Sequence, residues 1–271
     1  MKKEKIMYSV GYGILGFVLL SGALLIWNAR MTIDIQVAEA EEAAKPAEIE
    51  LTLIAPSNCD QCLDGNILME EIEKQDVRIL GSVTFLADSE EGLALIEAYG
   101  ITRVPAILVQ GQYDKENVKE VLVSLGGEEQ NGALVIEIKL PVYVDLTQNN
   151  VVGLVEATYL TDSSCLDCYD TAQHKSILEN NFGMTIAFEQ RIDAQSSAGR
   201  ALIDQYAITQ TPTVLLSSQA LAYERLATAW KQVGTIEEDG TFVFRNNSAL
   251  GSVIYKNLET GEVVRPKTSD E

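Results

Sequence analysis

The sequence predicts an α/β protein: two tandem domains of one fold, preceded by a single transmembrane helix. Three observations carry this reading. A stretch that opens on Cys-x-x-Cys and closes at a proline occurs twice, from Cys59-Asp60-Gln61-Cys62 to Val104-Pro105 and from Cys165-Leu166-Asp167-Cys168 to Thr211-Pro212. The cysteine-to-proline distance is 46 residues in the first copy and 47 in the second, and just before each proline Gly92 to Pro105 lies over Gly199 to Pro212, Tyr99 matching Tyr206. Each copy reads strand-helix-strand-helix-strand over a repeat of about 106 residues, the size of one small domain.

Taken in order, the chain divides into 1–30 (cytoplasmic tip and transmembrane helix), 31–47 (linker), 48–154 (first domain) and 155–271 (second domain). Ile6 to Trp27 is an uncharged run of 22 residues. As a helix it would span about 33 Å, enough to cross a bilayer core. Lys2, Lys3 and Lys5 precede it and mainly Arg30 follows, which places the N-terminus in the cytoplasm and both domains outside it. The run is longer than the apolar region of a cleaved signal peptide and lacks a small-x-small end, so an anchor is favoured. The alanine- and acid-rich stretch from Gln36 to Glu48 reads as a short helix or mobile tether, with any helix ended by Pro46.

In the first domain a strand over Glu48–Ala55 delivers the chain to Asn58-Cys59. Ser57 or Asn58 is positioned to cap a helix that carries the cysteines on its first turn, with Leu63, Ile67, Leu68 and Ile72 as its buried face. A strand over Val77–Leu86, a helix over Glu90–Tyr99 and a short buried strand over Ala106–Val109 follow. The second domain repeats this with Val155–Leu160, Leu166–Asn180, Met184–Ile192, Ser197–Tyr206 and Thr213–Leu216. Beyond each proline the pattern gives a helix (Asn117–Leu125; Ala220–Lys231), a strand (Ala133–Ile138; Thr241–Arg245) and a last hairpin (Val142–Leu146 with Val151–Leu154; Val253–Leu258 with Glu262–Val264).

Cys-x-x-Cys followed by Tyr-x-Ile-Thr-x-x-Pro and an apolar strand resembles the thioredoxin superfamily, over roughly residues 49–110 and 155–217. The resemblance implies two tandem thioredoxin-like domains in which the first cysteine of each pair sits at a helix N-terminus and the proline is cis and beside the sulfurs. It implies Cys59 and Cys165 as attacking thiols and Cys62 and Cys168 as resolving thiols. Val104-Pro105 and Thr211-Pro212 would hold a partner's backbone. The chain departs from the family in three ways. Asn58 and Ser164 precede the pairs instead of tryptophan, neither pair encloses Gly-Pro, and Leu53 and Tyr159 stand where many thioredoxins bury an acid. A helix before the last strands is a further departure, since thioredoxins finish with one.

Chemistry follows from the cysteines. All four fall in the two pairs, which favours redox or metal chemistry over a disulfide scaffold. Thiolates at a helix N-terminus are stabilised, attack a partner's sulfur and are resolved by the second cysteine. The expected activity is thiol–disulfide exchange by an extracytoplasmic, membrane-anchored oxidoreductase. Its partners would be protein thiols or disulfides, with a membrane redox partner as a further candidate and no bound cofactor. The alternative is a non-catalytic interaction scaffold with structural disulfides. A zinc site made of both pairs is disfavoured, since 102 residues intervene and each pair has its own surroundings. The net charge of −20 excludes a basic nucleic-acid footprint. Asp60, Asp64, Asp162, Asp167 and Asp170 crowd the pairs with no nearby cation on their N-terminal side. The expected potentials are therefore nearer roughly −270 mV than the roughly −120 mV of strong oxidants. His174, the only histidine, reads as a surface residue about two and a half turns beyond Cys165. Tyr99 and Tyr206 read as packing residues.

Overall fold

The computed structural model describes residues 27–37, 41–42 and 44–266. The transmembrane reading of residues 6–27 lies outside them except for Trp27. Among the described residues no helix is long and apolar enough to cross a membrane. Residues 27–37 are helical and exposed.

The rest is mixed α/β, with two five-stranded sheets that share no strand. In the first repeat the strands are β1 (Ala47–Ala55), β2 (Val77–Leu86), β3 (Arg103–Val104), β4 (Ala106–Gly111), β5 (Gly127–Gln130), β6 (Ala133–Glu137), β7 (Tyr143–Asp145) and β8 (Asn150–Val152). Its helices are α1 (Gly65–Glu73), α2 (Glu90–Tyr99) and α3 (Glu116–Ser124). The five-stranded sheet runs β2-β1-β4-β6-β5. Strand β1 is parallel to β2, from Ala47↔Val77 to Ala55↔Leu86, and antiparallel to β4, from Ile49↔Gly111 to Ile54↔Ala106.

Gly153 joins this to the second repeat, whose strands are β9 (Leu154–Thr161), β10 (Thr185–Asp193), β11 (Gln210–Thr211), β12 (Thr213–Leu216), β13 (Gly234–Ile236), β14 (Phe242–Phe244), β15 (Tyr255–Asn257) and β16 (Val263–Val264). Its helices are α4 (Ala172–Phe182), α5 (Ser197–Tyr206) and α6 (Glu224–Trp230), the last preceded by a 3-10 turn at Ser218–Ala222. The sheet order, β10-β9-β12-β14-β13, copies the first. The arrangement is consistent with the thioredoxin-like order expected, with one helix displaced to lie before the final strands.

Alternation along β1 sends Ile49, Leu51 and Leu53 to one face, where Met69 and Ile72 of α1 and Val118 and Leu122 of α3 cover them. Ile54, Ala106 and Leu108 point to the other face, against Leu95 and Ile96 of α2. In the second repeat Val155, Ala157 and Tyr159 meet Leu178 and Trp230, while Leu160 and Leu215 meet Leu202 and Ile203. Ile67, expected on the buried face of α1, is 64% exposed and Met69 takes its place. Gly65, Met69 and Ile72 share the inward face at helical spacing, and Ile67, two residues from Met69, stands on the far side.

Helices α2 and α5 begin alike. Ser89 and Ser196 accept hydrogen bonds from the Gly92 and Gly199 N–H groups, both at 3.0 Å. They end in the left-handed region, at Gly100 (φ 61°) and Ala207 (φ 46°).

Candidate functional site

Both cysteine pairs are closed as disulfides, Cys59–Cys62 and Cys165–Cys168. Each closes a four-residue turn in which the second cysteine's N–H donates to the first one's carbonyl, at 3.3 Å in both copies. These turns precede the helices, which corrects the expectation that the cysteines occupy a first helical turn. Aspartates take the helix starts: Asp64 Oδ1 accepts from Asn66 N at 2.9 Å, and Asp170 Oδ1 from Ala172 N at 2.9 Å. A carboxylate therefore answers an N-terminal N–H group that the sequence reading assigned to a thiolate.

The Val104–Pro105 and Thr211–Pro212 bonds are cis, and Cys168 Sγ lies 4.0 Å from the Thr211 carbonyl oxygen. Val104, Pro105, Thr211 and Pro212 are all buried. The strand before each proline is paired by the chain's own last hairpin: Val104 faces Val144 on β7, and Thr211 faces Lys256 on β15. The same hairpin reaches the cysteine turn. Leu63 N donates to Val142 O at 2.9 Å, and Tyr169 N to Ile254 O at 3.0 Å. In both repeats a hairpin thus bridges cysteine turn and cis-proline strand. The sequence located these hairpins but could not show what they pair with.

The surroundings of the two pairs differ. Among the described residues the buried polar and charged side chains, Asp162, Thr171, His174, Thr211, Thr213 and Asn247, all belong to the second repeat. Asp162 Oδ1 accepts from Ser164 N (3.0 Å), Ser164 Oγ (2.5 Å) and Gln195 Nε2 (3.2 Å), and Oδ2 from Thr211 Oγ1 (2.9 Å). Lys256 Nζ lies 3.7 Å from Oδ2 and donates to Ser164 Oγ at 2.6 Å. Burial opposes ionisation of Asp162, but the hydrogen bonds from Ser164, Thr211 and Gln195 together hold its carboxyl below the usual range.

A second network lies beyond the turn. Tyr169 Oη is 2.8 Å from His174 Nε2 and 2.9 Å from both the Pro212 carbonyl and Asn247 Oδ1. Asn247 Nδ2 donates to the same carbonyl at 3.1 Å. His174 is therefore buried and not on the surface as expected. With α4 beginning at Ala172, the ring sits in the first turn and folds back on Tyr169. Burial pushes the imidazole down to about 4 and the phenol upward.

In the first repeat the matching places hold Pro56, Leu63, Leu68, Val104 and Val144. They are apolar where the second repeat has Asp162, Tyr169, His174, Thr211 and Lys256. A groove of about 480 Å³ opens there beside Asn58, lined by Pro56, Leu93, Ile96, Val104, Val144 and Leu146 among others. Exposure also differs within the pairs. Cys59 and Cys62 are half-buried, whereas Cys165 is 8% exposed and Cys168 half-buried. Leu166 is 95% exposed at the tip of the second turn. The fold brings two cations to the second pair that linear reading missed, Lys256 and Arg265, the latter 2.6 Å from Asp167 Oδ2. Tyr99 and Tyr206 pack against the sheets, as expected.

No protein-family model matches the chain, and no curated protein matches it. Two crystal structures of ERdj5, form I and form II, are similar at 13% identity, with TM-scores of 0.18 and 0.19. The likeness covers 64% and 70% of this chain. The chain spans about a quarter of the length of those structures, 24% and 28%.

Proposed function

We propose that the chain is a thiol–disulfide oxidoreductase with two thioredoxin-like Cys-x-x-Cys sites that act on thiols or disulfides of other proteins. The supporting observation is the coincidence, in one repeat, of a disulfide-closed turn with a cis-proline loop whose carbonyl stands 4.0 Å from Cys168 Sγ. The other repeat has the same turn, the same cis bond and the same bridging hairpin.

In the oxidising direction a partner thiolate attacks Sγ of Cys59. The Cys59–Cys62 bond breaks, a mixed disulfide forms, and Cys62 leaves as a thiolate that takes up a proton. A second partner thiolate then attacks the partner's own sulfur in that bond and releases Cys59. The partner loses two electrons and two protons, and the pair gains them. The reverse sequence reduces a partner disulfide. Cys165 and Cys168 would do the same. Partners would meet the apolar groove at the first site and Leu166 at the second. Pro105 and Pro212 would shape the approach, while Val104 and Thr211 would contribute side-chain packing as long as the hairpins hold their backbone edges.

Anchoring by residues 6–27, with both repeats outside the cytoplasm, is part of this reading. It rests on the apolar run and the lysines before it. Protease added to intact cells should digest both repeats, and protection of both would reject the topology.

Trapping tests the activity. Full-length chain carrying Cys62→Ala or Cys168→Ala should accumulate dithiothreitol-sensitive adducts with partner proteins at Cys59 or Cys165. Because Cys168 is the more exposed of its pair, Cys165→Ala should be run beside them to show which sulfur attacks. Absence of adducts from all three variants would defeat the proposal. That outcome would favour the scaffold reading, whose own support is the pairing of Val104 and Thr211 with the chain's hairpins.

A further inference from the structure

We propose that Asp162 is a positioning residue of the second site, and that through Ser164, Thr211 and Lys256 it gives that site a thiol reactivity the first site does not share. The inference rests on the redox reading above and deepens it. Asp162 is the one buried carboxylate among the described residues, and its side chain has no solvent exposure. Its hydrogen bonds reach the residue before Cys165, the residue before the cis-proline, and the loop ahead of α5. Its main-chain carbonyl accepts from Cys165 N at 3.0 Å, and Thr211, bound to its carboxylate, presents its own carbonyl to Cys168 Sγ. Apart from the bond to Gln195, each route from Asp162 ends at Cys165, at the residue before it, or at the residue whose carbonyl faces Cys168.

Reduction of the pair places thiols on a turn whose adjoining residues, Ser164 and Thr211, are bound to a carboxylate that water does not screen. Formation of a thiolate there is opposed by Asp162 and by the burial of Cys165, and helped by Lys256. The other charged or titratable groups around the pair are less able to act. Asp167 is matched by Arg265 and Asp170 by Arg191 at the surface. Asp193 ends β10, where Ser163 and Gln195 N–H groups bind it. Tyr169 and His174 are held neutral by burial at ordinary pH. At the first site Pro56, Val104 and Val144 replace Asp162, Thr211 and Lys256, and Asp60 and Asp64 are exposed, where salt and water weaken them. The second pair should therefore ionise at higher pH than the first. Its sensitivity should trace to one carboxylate and one ammonium acting in opposite senses.

Alkylation resolves this without any exchange partner, so its failure is distinguishable from failure of the redox reading. Reduced full-length chain is treated with iodoacetamide from pH 5 to 10, and each cysteine is followed by peptide mass spectrometry. In the wild type the faster-alkylating cysteine of the second pair should have its midpoint above that of the first pair. Asp162→Asn should move the second midpoint down, raising its alkylation at pH 7 about tenfold for each unit moved. Lys256→Met should move it up. Neither should shift the first pair. If Asp162→Asn unfolds the second repeat, as Trp230 fluorescence would report, the Lys256→Met arm decides alone. A second midpoint at or below the first, a profile unmoved by the folded variants, or a shift in the same direction from both would overturn the proposal.

Discussion

Tyr169 Oη stands 2.8 Å from His174 Nε2 where both rings are buried, and the phenol has a single proton for three neighbours. An imidazole that donates from Nε2 leaves that proton for the Pro212 carbonyl or Asn247; a charged ring would donate there equally well, so it is burial that keeps His174 neutral. Its edge-on contact with Phe244, at 4.6 Å between ring centroids, completes the packing that keeps water from the ring.

Acid should therefore weaken the second repeat before its carboxylates titrate. With a folded-state value of about 4 against 6.5, the folded form refuses a proton that the unfolded form accepts. Stability is then full above about pH 6.5 and falls as pH drops toward 4, by about 3 kcal/mol in all. Asp162, Asp193 and Asp239 are lowered in the native state, so their contributions are lost only further down, as pH falls through their folded values. Urea unfolding followed by Trp230 fluorescence at pH 7 and pH 5 should show about 2 kcal/mol of this loss. His174→Leu, which copies Leu68 of the first repeat, should remove most of the difference. An equal loss in the variant would place the acid sensitivity elsewhere.

The paired glycines give a second expectation. A Cβ on Gly92 would lie 2.0 Å from Leu86 O, and one on Gly199 2.1 Å from Asp193 O. Both are backbone atoms at the end of a strand, which cannot step aside cheaply. Alanine favours a helix by up to about 1 kcal/mol, but overpacking costs about 1–3 kcal/mol or more, so Gly92→Ala and Gly199→Ala should each destabilise. Gly81→Ala, with nothing within 4 Å of the new atom, serves as the tolerated control. Ala207→Gly should instead stabilise by about 0.5–1 kcal/mol, because this residue holds φ 46° where the first repeat has Gly100. Denaturation midpoints by circular dichroism check all four.

These residues also show what the sequence could and could not say. Periodicity and the repeat marked Val77–Leu86, Glu90–Tyr99 and Ser197–Tyr206 to the residue, because local patterning and a cap decide such elements. Ser57 and Asn58 are capable caps, so the local pattern puts the first cysteine turn on a helix that in fact begins only at Gly65. Asp64 and Asp170 are closer to the helices and win the N–H groups. A helix over Leu166–Asn180 would turn His174 outward, whereas the observed start at Ala172 puts it in the first turn against Tyr169. Asp162, Thr211 and Lys256 come together only through hairpin register across 94 residues, which no local pattern carries. β5 and β13 were missed for a similar reason, being short edge strands with weak alternation.

The hairpins supply the last expectation. β7 pairs with β3 through Arg103↔Asp145 and Val104↔Val144, Leu146 N donates to Thr102 O at 2.8 Å, and Leu63 N to Val142 O at 2.9 Å. If this strand is what holds the first cysteine turn against the cis-proline strand, breaking its middle should free both ends. Proline at 144 has no N–H to offer and fixes its own φ. Val144→Pro should raise amide exchange at Leu63 and Leu146 by at least tenfold. The amides of β4 at Ile107 and Val109, deep in the five-stranded sheet, should stay protected. The second repeat, with its own hairpin, should be unchanged. Protection at Leu63 that survives the substitution would mean that the disulfide alone holds the turn and that the hairpin is not its clamp.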